Sequence, residues 1–350
     1  MNVERVLPRD AIPSVDDPEF VPVDAPERVD PDPGDVIVVD PDSLPGAGRA
    51  DDAVRAGDAA AKAYPVRYLH FHEIVNDALA GVPVAVTWCP LCGSAVVYES
   101  RVEVDGGQRT LEFGVSGKLA DDDLVMYDRE TESEWKQSLG RAIAGPLEGT
   151  KLAVLPASMV AFEAFRSEYP DGVVMAPPGG ASEAASDGDD PAPIDYDDAP
   201  YEAYFRGEGF GLGAHRGTGG REWDRDDFAP KAVVLGIERA DDALGFPLPV
   251  VKRRGGVATA TVGGLDVVVF AADGELYAYE DPGFDWRRAR GGFRGDDALY
   301  DPATGRPIDA PAAHTGESGA AGAEPLTRVP SRRLFAFAWQ DDHGPGAFLS

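Results

Sequence analysis

Cysteine is scarce in this chain, which has two cysteines among its 350 residues. Two cysteines cannot form the disulfide framework that stabilises small secreted proteins. The sequence also lacks an apolar run near the roughly 20 residues of a membrane-spanning helix, and residues 1–8 lack the basic-then-apolar pattern of a signal peptide. These absences predict a soluble, cytoplasmic protein without a membrane partner.

Positive charge is scarce as well. The chain has 32 basic against 62 acidic residues, which gives a net charge of −30 and a pI near 4.4. Such a surface repels phosphate backbones, so we expect no nucleic-acid partner. The acidic residues are spread over the whole length, as in proteins of salt-rich cytoplasm, where counterions screen the repulsion. We therefore interpret the charge as halophilic adaptation, which leaves the small-molecule or protein partner unknown.

The length and composition predict two domains. Hydrophobic residues make up 43% of the chain, which is enough for packed cores, and 350 residues are long for one domain. Residues 177–199 are rich in Pro, Gly, Ala and Asp, and such a segment buries too little apolar surface to order itself. We predict a first domain at 1–176 that includes an N-terminal arm, a disordered acidic linker at 177–199, and a second domain at 200–350.

The second half repeats features of the first. Residues 64–66, 126–131 and 160–165 have counterparts at 246–248, 299–304 and 334–339, in the same order and at similar spacing. This pattern predicts an internal duplication. Short β-branched and aromatic runs between turn signals predict strands, and a late apolar pattern predicts a helix in each unit. The expected fold class is β-rich α+β, with two homologous compact strand assemblies and a late helix in each.

The two cysteines lie in a Cys-x-x-Cys-Gly sequence and have two histidines nearby in the chain. Cys89 and Cys92 have the spacing of a zinc knuckle or of a redox dithiol, and His70 and His72 would share one face if their segment were a strand. We predict a zinc or copper site, or a thiol redox pair, centred on Cys89, Cys92 and His72. The alternative is a non-catalytic binding or scaffold protein in which both thiols pack as small hydrophobes. The second half lacks these residues, so we expect the site in the first half.

Five further residues are candidates to surround the site or line a pocket. Glu73, Asp77 and Arg129 are charged residues within apolar segments, where burial requires a partner. Trp135 and Gln137 are two apart and would share a face of a strand. A third functional class is an enzyme that uses His72 and Glu73 as acid and base, so whether the chain is an enzyme stays open. No dinucleotide fingerprint or phosphate-binding loop is recognisable, which predicts no nucleotide cofactor.

These segments resemble the signature segments of the domain-of-unknown-function family 3179. The resemblance is specific over residues 8–175 and weaker over 200–350, and it identifies the chain as a halophilic member that contains Cys-Pro-Leu-Cys-Gly and is internally duplicated. It implies no activity, substrate or cofactor. The segments that carry it are residues 63–65, 72–77, 86–93, 113–117, 126–131, 135–137 and 145–149.

Overall fold

The computed structural model describes residues 1–25, 34–45, 60–104, 106–186, 190–308 and 323–350. Strands dominate these residues and the helices are short, which confirms the predicted β-rich α+β class. None of the helices described is long and apolar enough to cross a membrane.

The helices are α1 (Val66–His72), α2 (Phe162–Glu168), α3 (Glu202–Arg206), α4 (Gly211–His215), α5 (Leu248–Arg253) and α6 (Ala336–His343), and the 3-10 turns are η1 (Pro41–Ser43) and η2 (Glu183–Ala185). The strands are β1 (Val3–Arg5), β2 (Phe20–Pro22), β3 (Asp35–Val39), β4 (Lys62–Pro65), β5 (Ile74–Leu79), β6 (Val82–Cys89), β7 (Ser94–Glu99), β8 (Arg101–Val104), β9 (Gly107–Thr110), β10 (Phe113–Ala120), β11 (Asp123–Asp128), β12 (Glu134–Lys136), β13 (Arg141–Ala144), β14 (Ala153–Val154), β15 (Ser158–Ala161), β16 (Val173–Met175), β17 (Ala181–Ser182), β18 (Ala192–Pro193), β19 (Val233–Arg239), β20 (Asp242–Pro247), β21 (Val257–Val262), β22 (Leu265–Ala272), β23 (Glu275–Glu280), β24 (Arg287–Ala289), β25 (Gly292–Gly295), β26 (Ala298–Tyr300) and β27 (Arg332–Phe335).

One central sheet contains strands from both halves of the chain. Its order is β20-β19-β27-β7-β6-β5, with β14 also paired to β7. β5, β6 and β7 follow each other along the chain as an antiparallel meander, and β27 from the second half meets β7 where Arg333 lies opposite Ala95. The two halves are therefore joined through backbone pairing, and the predicted division into two domains stays a prediction.

Both faces of strand β6 are buried. Val84, Val86 and Trp88 share an apolar core with the sheet β15-β3-β4-β16-β2, whereas Ala85 and Cys89 belong to a core with the sheet β1-β10-β11-β12-β13. Alternate side chains of a strand point to opposite faces, and the β-branched residues fit the pleated surface on each side. The thiol of Cys89 thus faces strands β10 to β12.

Two short strands form within the described part of residues 177–199, where the sequence predicts a disordered linker, and most of its side chains are exposed. β17 pairs with β18, and the side chain of Ser182 is buried. The hydroxyl of Tyr196 lies 2.7 Å from His72 Nε2, and its ring contacts Phe71 edge-on. Tyr196 thus contacts helix α1 of the first half, and the disordered linker stays a prediction. Residues 187–189 lie outside the described residues.

Matching elements occur at the positions of the predicted repeat. Strand β4 runs through Pro65 into α1, and strand β20 runs through Pro247 into α5. The late helices α2 and α6 both directly follow a strand. In each half an aspartate caps a turn: the Thr131 amide donates to Asp128 Oδ1 at 2.6 Å, and the Thr304 amide donates to Asp301 Oδ1 at 2.9 Å. The duplication itself stays a prediction.

Candidate metal site

A tight turn between β6 and β7 brings the two thiols together. Cys89 is paired with Ser94 across the two strands, and the Gly93 amide donates to the Pro90 carbonyl at 3.3 Å. Gly93 has a φ of +54°, which a glycine adopts without steric cost. A Cβ at Gly93 would lie 2.6 Å from the ring of Phe335, so the turn is also closely covered. Both cysteines are free thiols, and both are buried.

Asp123, the first residue of β11, is the third member of the group. The Sγ atoms of Cys89 and Cys92 and a carboxylate oxygen of Asp123 all lie within 4.8 Å of one another. The exposed fractions of these residues are 2%, 0% and 1%. Asp123 Oδ2 accepts a hydrogen bond from the Ser138 amide at 2.8 Å, whereas Oδ1 has no partner among the residues described. The carboxylate of Asp123 is therefore the third ligand-type group beside the two thiols.

The two histidines that were predicted to complete the site lie elsewhere. Their segment forms helix α1 instead of a strand, and residues two apart on a helix do not share a face. His72 Nδ1 lies 2.9 Å from the Pro13 carbonyl oxygen, and its Nε2 lies 2.7 Å from the Tyr196 hydroxyl. The ring of His70 packs beside Trp88 on the wall of a cavity. Among the described residues, neither histidine belongs to the group formed by Cys89, Cys92 and Asp123.

Burial dominates the electrostatics of the three groups. It raises the pKa of the Cys89 thiol, against a smaller opposing effect of the hydrogen bond with Cys92. Burial also raises the pKa of Cys92, and the hydrogen bond with Cys89 raises it further. The pKa of Asp123 rises to about 6, chiefly through burial. At neutral pH without a metal, both cysteines are therefore neutral thiols and weak nucleophiles.

A buried ion pair lies next to this group and joins the two halves of the chain. Lys136 Nζ is 2.7 Å from Asp342 Oδ1, and the two side chains are 3% and 1% exposed. Burial alone would lower the pKa of Lys136, but attraction to Asp342 and Asp123 raises it overall. Ser138 donates to both carboxylates, through its amide to Asp123 and through its hydroxyl to Asp342 at 2.6 Å. The positive charge of Lys136 lowers the pKa of Cys92, against the dominant effect of burial.

The second half also covers the thiol turn itself. The amide of Phe335 donates to the Cys92 carbonyl at 2.7 Å, and Arg333 Nη1 donates to the Gly93 carbonyl at 2.6 Å. The second half therefore supplies supporting groups to the site even though it has no cysteine.

Comparison with known proteins agrees with the involvement of both halves. The family model described as "Protein of unknown function (DUF3179)" matches residues 9–345. The chain belongs to this family. The match includes the second half, so the strands and the helix that cover the thiols are part of the DUF3179 unit. No curated protein and no solved structure matches the chain.

In this DUF3179 protein, Trp135 and Gln137 are buried in polar networks. Trp135 Nε1 donates to Asp128 Oδ2 at 2.9 Å, and Gln137 Nε2 donates to Thr87 Oγ1 at 2.7 Å. Both residues are fully buried, so they hold strand β12 in place on either side of Lys136. Lys136 lies between these two predicted residues but was not itself among the candidates from the sequence.

Asp77 and Arg129 are engaged in ion pairs away from the thiols. Asp77 Oδ2 accepts from Lys62 Nζ at 2.8 Å and from the Tyr64 hydroxyl at 2.7 Å. Arg129 Nη1 binds Asp16 Oδ2 at 2.9 Å in the N-terminal arm. These contacts assign both residues to the docking of neighbouring segments.

Glu73 is buried between the histidine helix and the thiols. Its φ is +59°, an uncommon conformation for a residue other than glycine. Burial raises its pKa to about 8, and repulsion from Glu183 and Asp123 adds to the effect. Glu73 and His72 are the two residues suggested as an acid–base pair. Glu73 has a pKa near neutral pH, whereas both ring nitrogens of His72 already have hydrogen-bond partners.

Replacing Glu73 with glutamine is expected to stabilise the protein in mild alkali. Because the pKa of Glu73 is raised in the folded protein, its neutral carboxyl contributes its full stability below the pKa of the unfolded chain, near 4.5. This stability is lost as the pH rises through about 8. Glu73→Gln should therefore raise the free energy of unfolding by about 2–4 kcal/mol at about pH 8 and change it little at about pH 4. Urea unfolding at both pH values measures this.

The exposed Glu148→Gln change is the control and should shift neither value by more than about 0.5 kcal/mol. Equal effects of Glu73→Gln at both pH values would show that the Glu73 carboxyl titrates normally in the folded protein.

Proposed function

We propose that this DUF3179 protein binds one zinc ion through Cys89, Cys92 and Asp123. The observation that carries the proposal is the convergence of three ligand-type atoms within 4.8 Å of one another in a buried place. Thiolate sulfur and carboxylate oxygen are both common zinc donors. The partnerless Oδ1 of Asp123 supports the proposal, because a buried carboxylate oxygen without a hydrogen bond is costly unless a cation satisfies it.

The local charge count favours a divalent ion. Two thiolates and one carboxylate carry three negative charges, and the positive charge of Lys136 beside them is already balanced by Asp342. A divalent ion leaves one unbalanced negative charge in this buried place, whereas a monovalent copper ion leaves two, and unbalanced buried charge is expensive. Of the two metals that the sequence suggests, we therefore propose zinc.

Three side-chain ligands give the site the donor number of catalytic zinc centres. Structural zinc sites usually have four protein ligands, whereas catalytic sites have three and keep a position for water or substrate. The raised thiol pKa values argue against a dithiol redox pair, because thiolates are the reactive form. A scaffold protein with structural thiols remains the alternative, and it requires no metal.

Removing the carboxylate tests the proposal. Asp123→Asn keeps the size of the side chain but removes a charged ligand, so we expect zinc affinity to fall by at least about a hundredfold. Zinc content after equilibrium dialysis, and the thiolate absorption of a cobalt-substituted sample, measure the change. Wild type should hold about one equivalent of zinc.

Two variants serve as controls. Asp77→Asn removes a carboxylate that binds Lys62 and Tyr64 away from the thiols, and His72→Gln removes the histidine first considered as a ligand. Both should keep full zinc content. Zinc-free wild type after reconstitution would refute the proposal, and loss of zinc in His72→Gln with retention in Asp123→Asn would restore the histidine as the ligand.

We also propose that the two halves descend from one duplicated unit and that the protein works in a salt-rich cytoplasm. The repeated strand-to-helix passages at Pro65 and Pro247, and the aspartate-capped turns at Asp128 and Asp301, support the duplication. The net charge of −30 supports the salt adaptation.

The melting temperature is expected to rise with salt. Between about 0.1 M and about 1 M KCl the screening length falls from about 10 Å to about 3 Å, which weakens repulsion among the excess carboxylates. Thermal melts followed by circular dichroism should therefore shift upward by several degrees. Sucrose at matched osmolarity controls for general solute effects, and a flat or falling trend in KCl would contradict the adaptation.

A further inference from the structure

Residues 201–221 form a strap over the thiol turn. All of its residues are described, and none of them lies in a strand. The strap contains the short helices α3 and α4, and seven of the fourteen residues 207–220 are glycines. Tyr204, in α3, donates its hydroxyl to the carbonyl of Leu91, between the two cysteines, at 2.7 Å. Tyr204 and Leu91 belong to the same apolar core as both thiols. The strap is therefore part of the cover that separates the thiols from solvent.

The strap is fastened to the rest of the fold through side chains. Among the described residues, its backbone–backbone hydrogen bonds stay within the strap or reach Ala199 just before it. Lys231 Nζ donates to the carbonyls of Tyr204 and Gly207. By contrast, β27, which also covers the turn, is paired with β19 and β7, and α6 buries Trp339 completely. A segment with few backbone hydrogen bonds to its surroundings opens at a lower free energy than a sheet strand or a buried helix. The strap is thus the part of the cover that opens most readily.

Asp122 links the strap to the cysteine group. Its Oδ1 accepts from the Leu212 amide at 3.0 Å, and its backbone carbonyl accepts from the Cys92 thiol at 3.5 Å. Gly211 allows this close approach, because a Cβ there would lie 2.5 Å from Asp122 Oδ2. Arg221, the last residue of the strap, lies 3.2 Å from the same carboxylate oxygen. The residue that contacts the Cys92 thiol therefore also fastens the strap.

We propose that the strap is a gate that opens locally, with the rest of the fold intact, and admits a metal ion or another small reagent to the two thiols. The exposed fractions of the two cysteines are 2% and 0%, so they are reached either through such an opening or through global unfolding. Tyr204 and Asp122 hold the gate closed. The glycines of residues 207–220 favour opening, because glycine gains the most conformational freedom when a segment is released. The gate concerns access to the thiols, whichever ligand they bind.

Chemical labelling of the thiols in the metal-free full chain tests the gate. N-ethylmaleimide is small and uncharged, so the acidic surface does not repel it, and mass spectrometry identifies the modified cysteines. At low urea concentration we expect labelling at a rate that hardly changes with urea, because a local opening exposes little surface. At higher urea concentration global unfolding should take over, with a steep dependence on urea.

Two variants should change the labelling rate at low urea in opposite directions. Tyr204→Phe keeps the ring but removes the hydroxyl that bonds the Leu91 carbonyl and accepts from the Gly211 amide at 3.1 Å. Labelling should become about tenfold faster. Gly220→Ala restricts the open strap, and the atom nearest to a Cβ at this position is 3.6 Å away, an ordinary contact. Labelling of this variant should be about two- to fivefold slower.

Each variant has a matched control outside the strap. Tyr64→Phe also removes a buried tyrosine hydroxyl, which donates to Asp77 Oδ2 at 2.7 Å. It should lower the urea concentration at which the protein unfolds and leave labelling at low urea unchanged. Gly346→Ala adds a Cβ that would have no atom within 4 Å, and it should also leave labelling at low urea unchanged.

Two results would overturn the gate. If Tyr64→Phe accelerates labelling as much as Tyr204→Phe, or if labelling depends steeply on urea at every concentration, the thiols are reached by global unfolding. If neither Tyr204→Phe nor Gly220→Ala changes labelling at low urea, the route to the thiols lies elsewhere. Should Tyr204→Phe fail to fold, the comparison of Gly220→Ala with Gly346→Ala decides.

The labelling result is independent of the metal proposal. Wild type that never holds zinc but shows the expected labelling pattern would refute the metal site and keep the gate. Wild type that holds zinc but is labelled only through global unfolding would refute the gate alone.

Discussion

Zinc affinity is expected to rise about a hundredfold for each pH unit between about pH 7 and about pH 8. Burial raises the pKa of both Cys89 and Cys92, so each thiol is protonated in this range and releases one proton when it binds the metal. Each released proton contributes a factor of about ten per pH unit. The sign is fixed, because protons compete with the metal and affinity must fall as the pH falls.

Asp123 adds a third proton at lower pH. Its pKa rises to about 6 through burial, so below that value the slope should steepen to about a thousandfold per unit. Competition titrations with a chelator across the pH range measure the profile. In Asp123→Asn the steepening should disappear while the slope from the two thiols stays, and in His72→Gln the whole profile should match wild type. A rise in zinc affinity of only tenfold or less per pH unit near pH 7 would show that the thiols are already ionised or are not ligands.

Replacing Lys136 with methionine should lower the free energy of unfolding by about 3–5 kcal/mol, because it leaves a buried charge unpaired. Asp342 is 1% exposed and lies 2.7 Å from Lys136 Nζ, and methionine fills similar space without the charge. The same change removes the positive charge beside Cys92, so zinc binding should also weaken. Urea unfolding of the metal-free protein isolates the effect on stability.

Lys118→Met is the matched control. Lys118 lies 2.6 Å from Glu134 Oε1, but these side chains are 25% and 23% exposed, so their pair is closer to a surface ion pair, which contributes at most about 1 kcal/mol. The double change Lys136→Met with Asp342→Leu should recover part of the stability, because it removes both buried charges. If Lys136→Met costs no more than Lys118→Met, the buried pair is not formed in solution.

The thiol pair was predictable because its geometry is encoded locally. Five consecutive residues supply both sulfurs and the glycine that the turn requires at a φ of +54°. The continuation of α1 through both histidines was harder to predict. Tyr68, Leu69, Phe71 and His72 are all buried, so the helix is covered on several sides and shows no clear apolar period of 3.6 residues. The sequence predicts a short helix or turn after Val66 and would place both histidines on one face only if their segment were a strand.

The approach of Asp123 to the two thiols was not predictable from the sequence. Residues 121–123 are three consecutive aspartates, which are typical of an exposed turn. The turn is present, with positive φ at Asp121 and Asp122, but Asp123 begins β11 and is buried. Its approach to Cys89 and Cys92 depends on one sheet packing against another, which no spacing between the residues encodes. For the same reason, the pairing of Lys136 with Asp342 could be found only in the fold.

The position of Asp342 has a consequence for biosynthesis. Its codon is translated about 250 residues after that of Cys92, and at about 5–20 residues per second the delay is on the order of tens of seconds. During this interval the nascent chain has both thiols but not the helix and strand that later enclose them. The thiols are therefore open to oxidation in the ribosome-bound chain, and the same covering segments later limit the access of oxidants and metal ions to them.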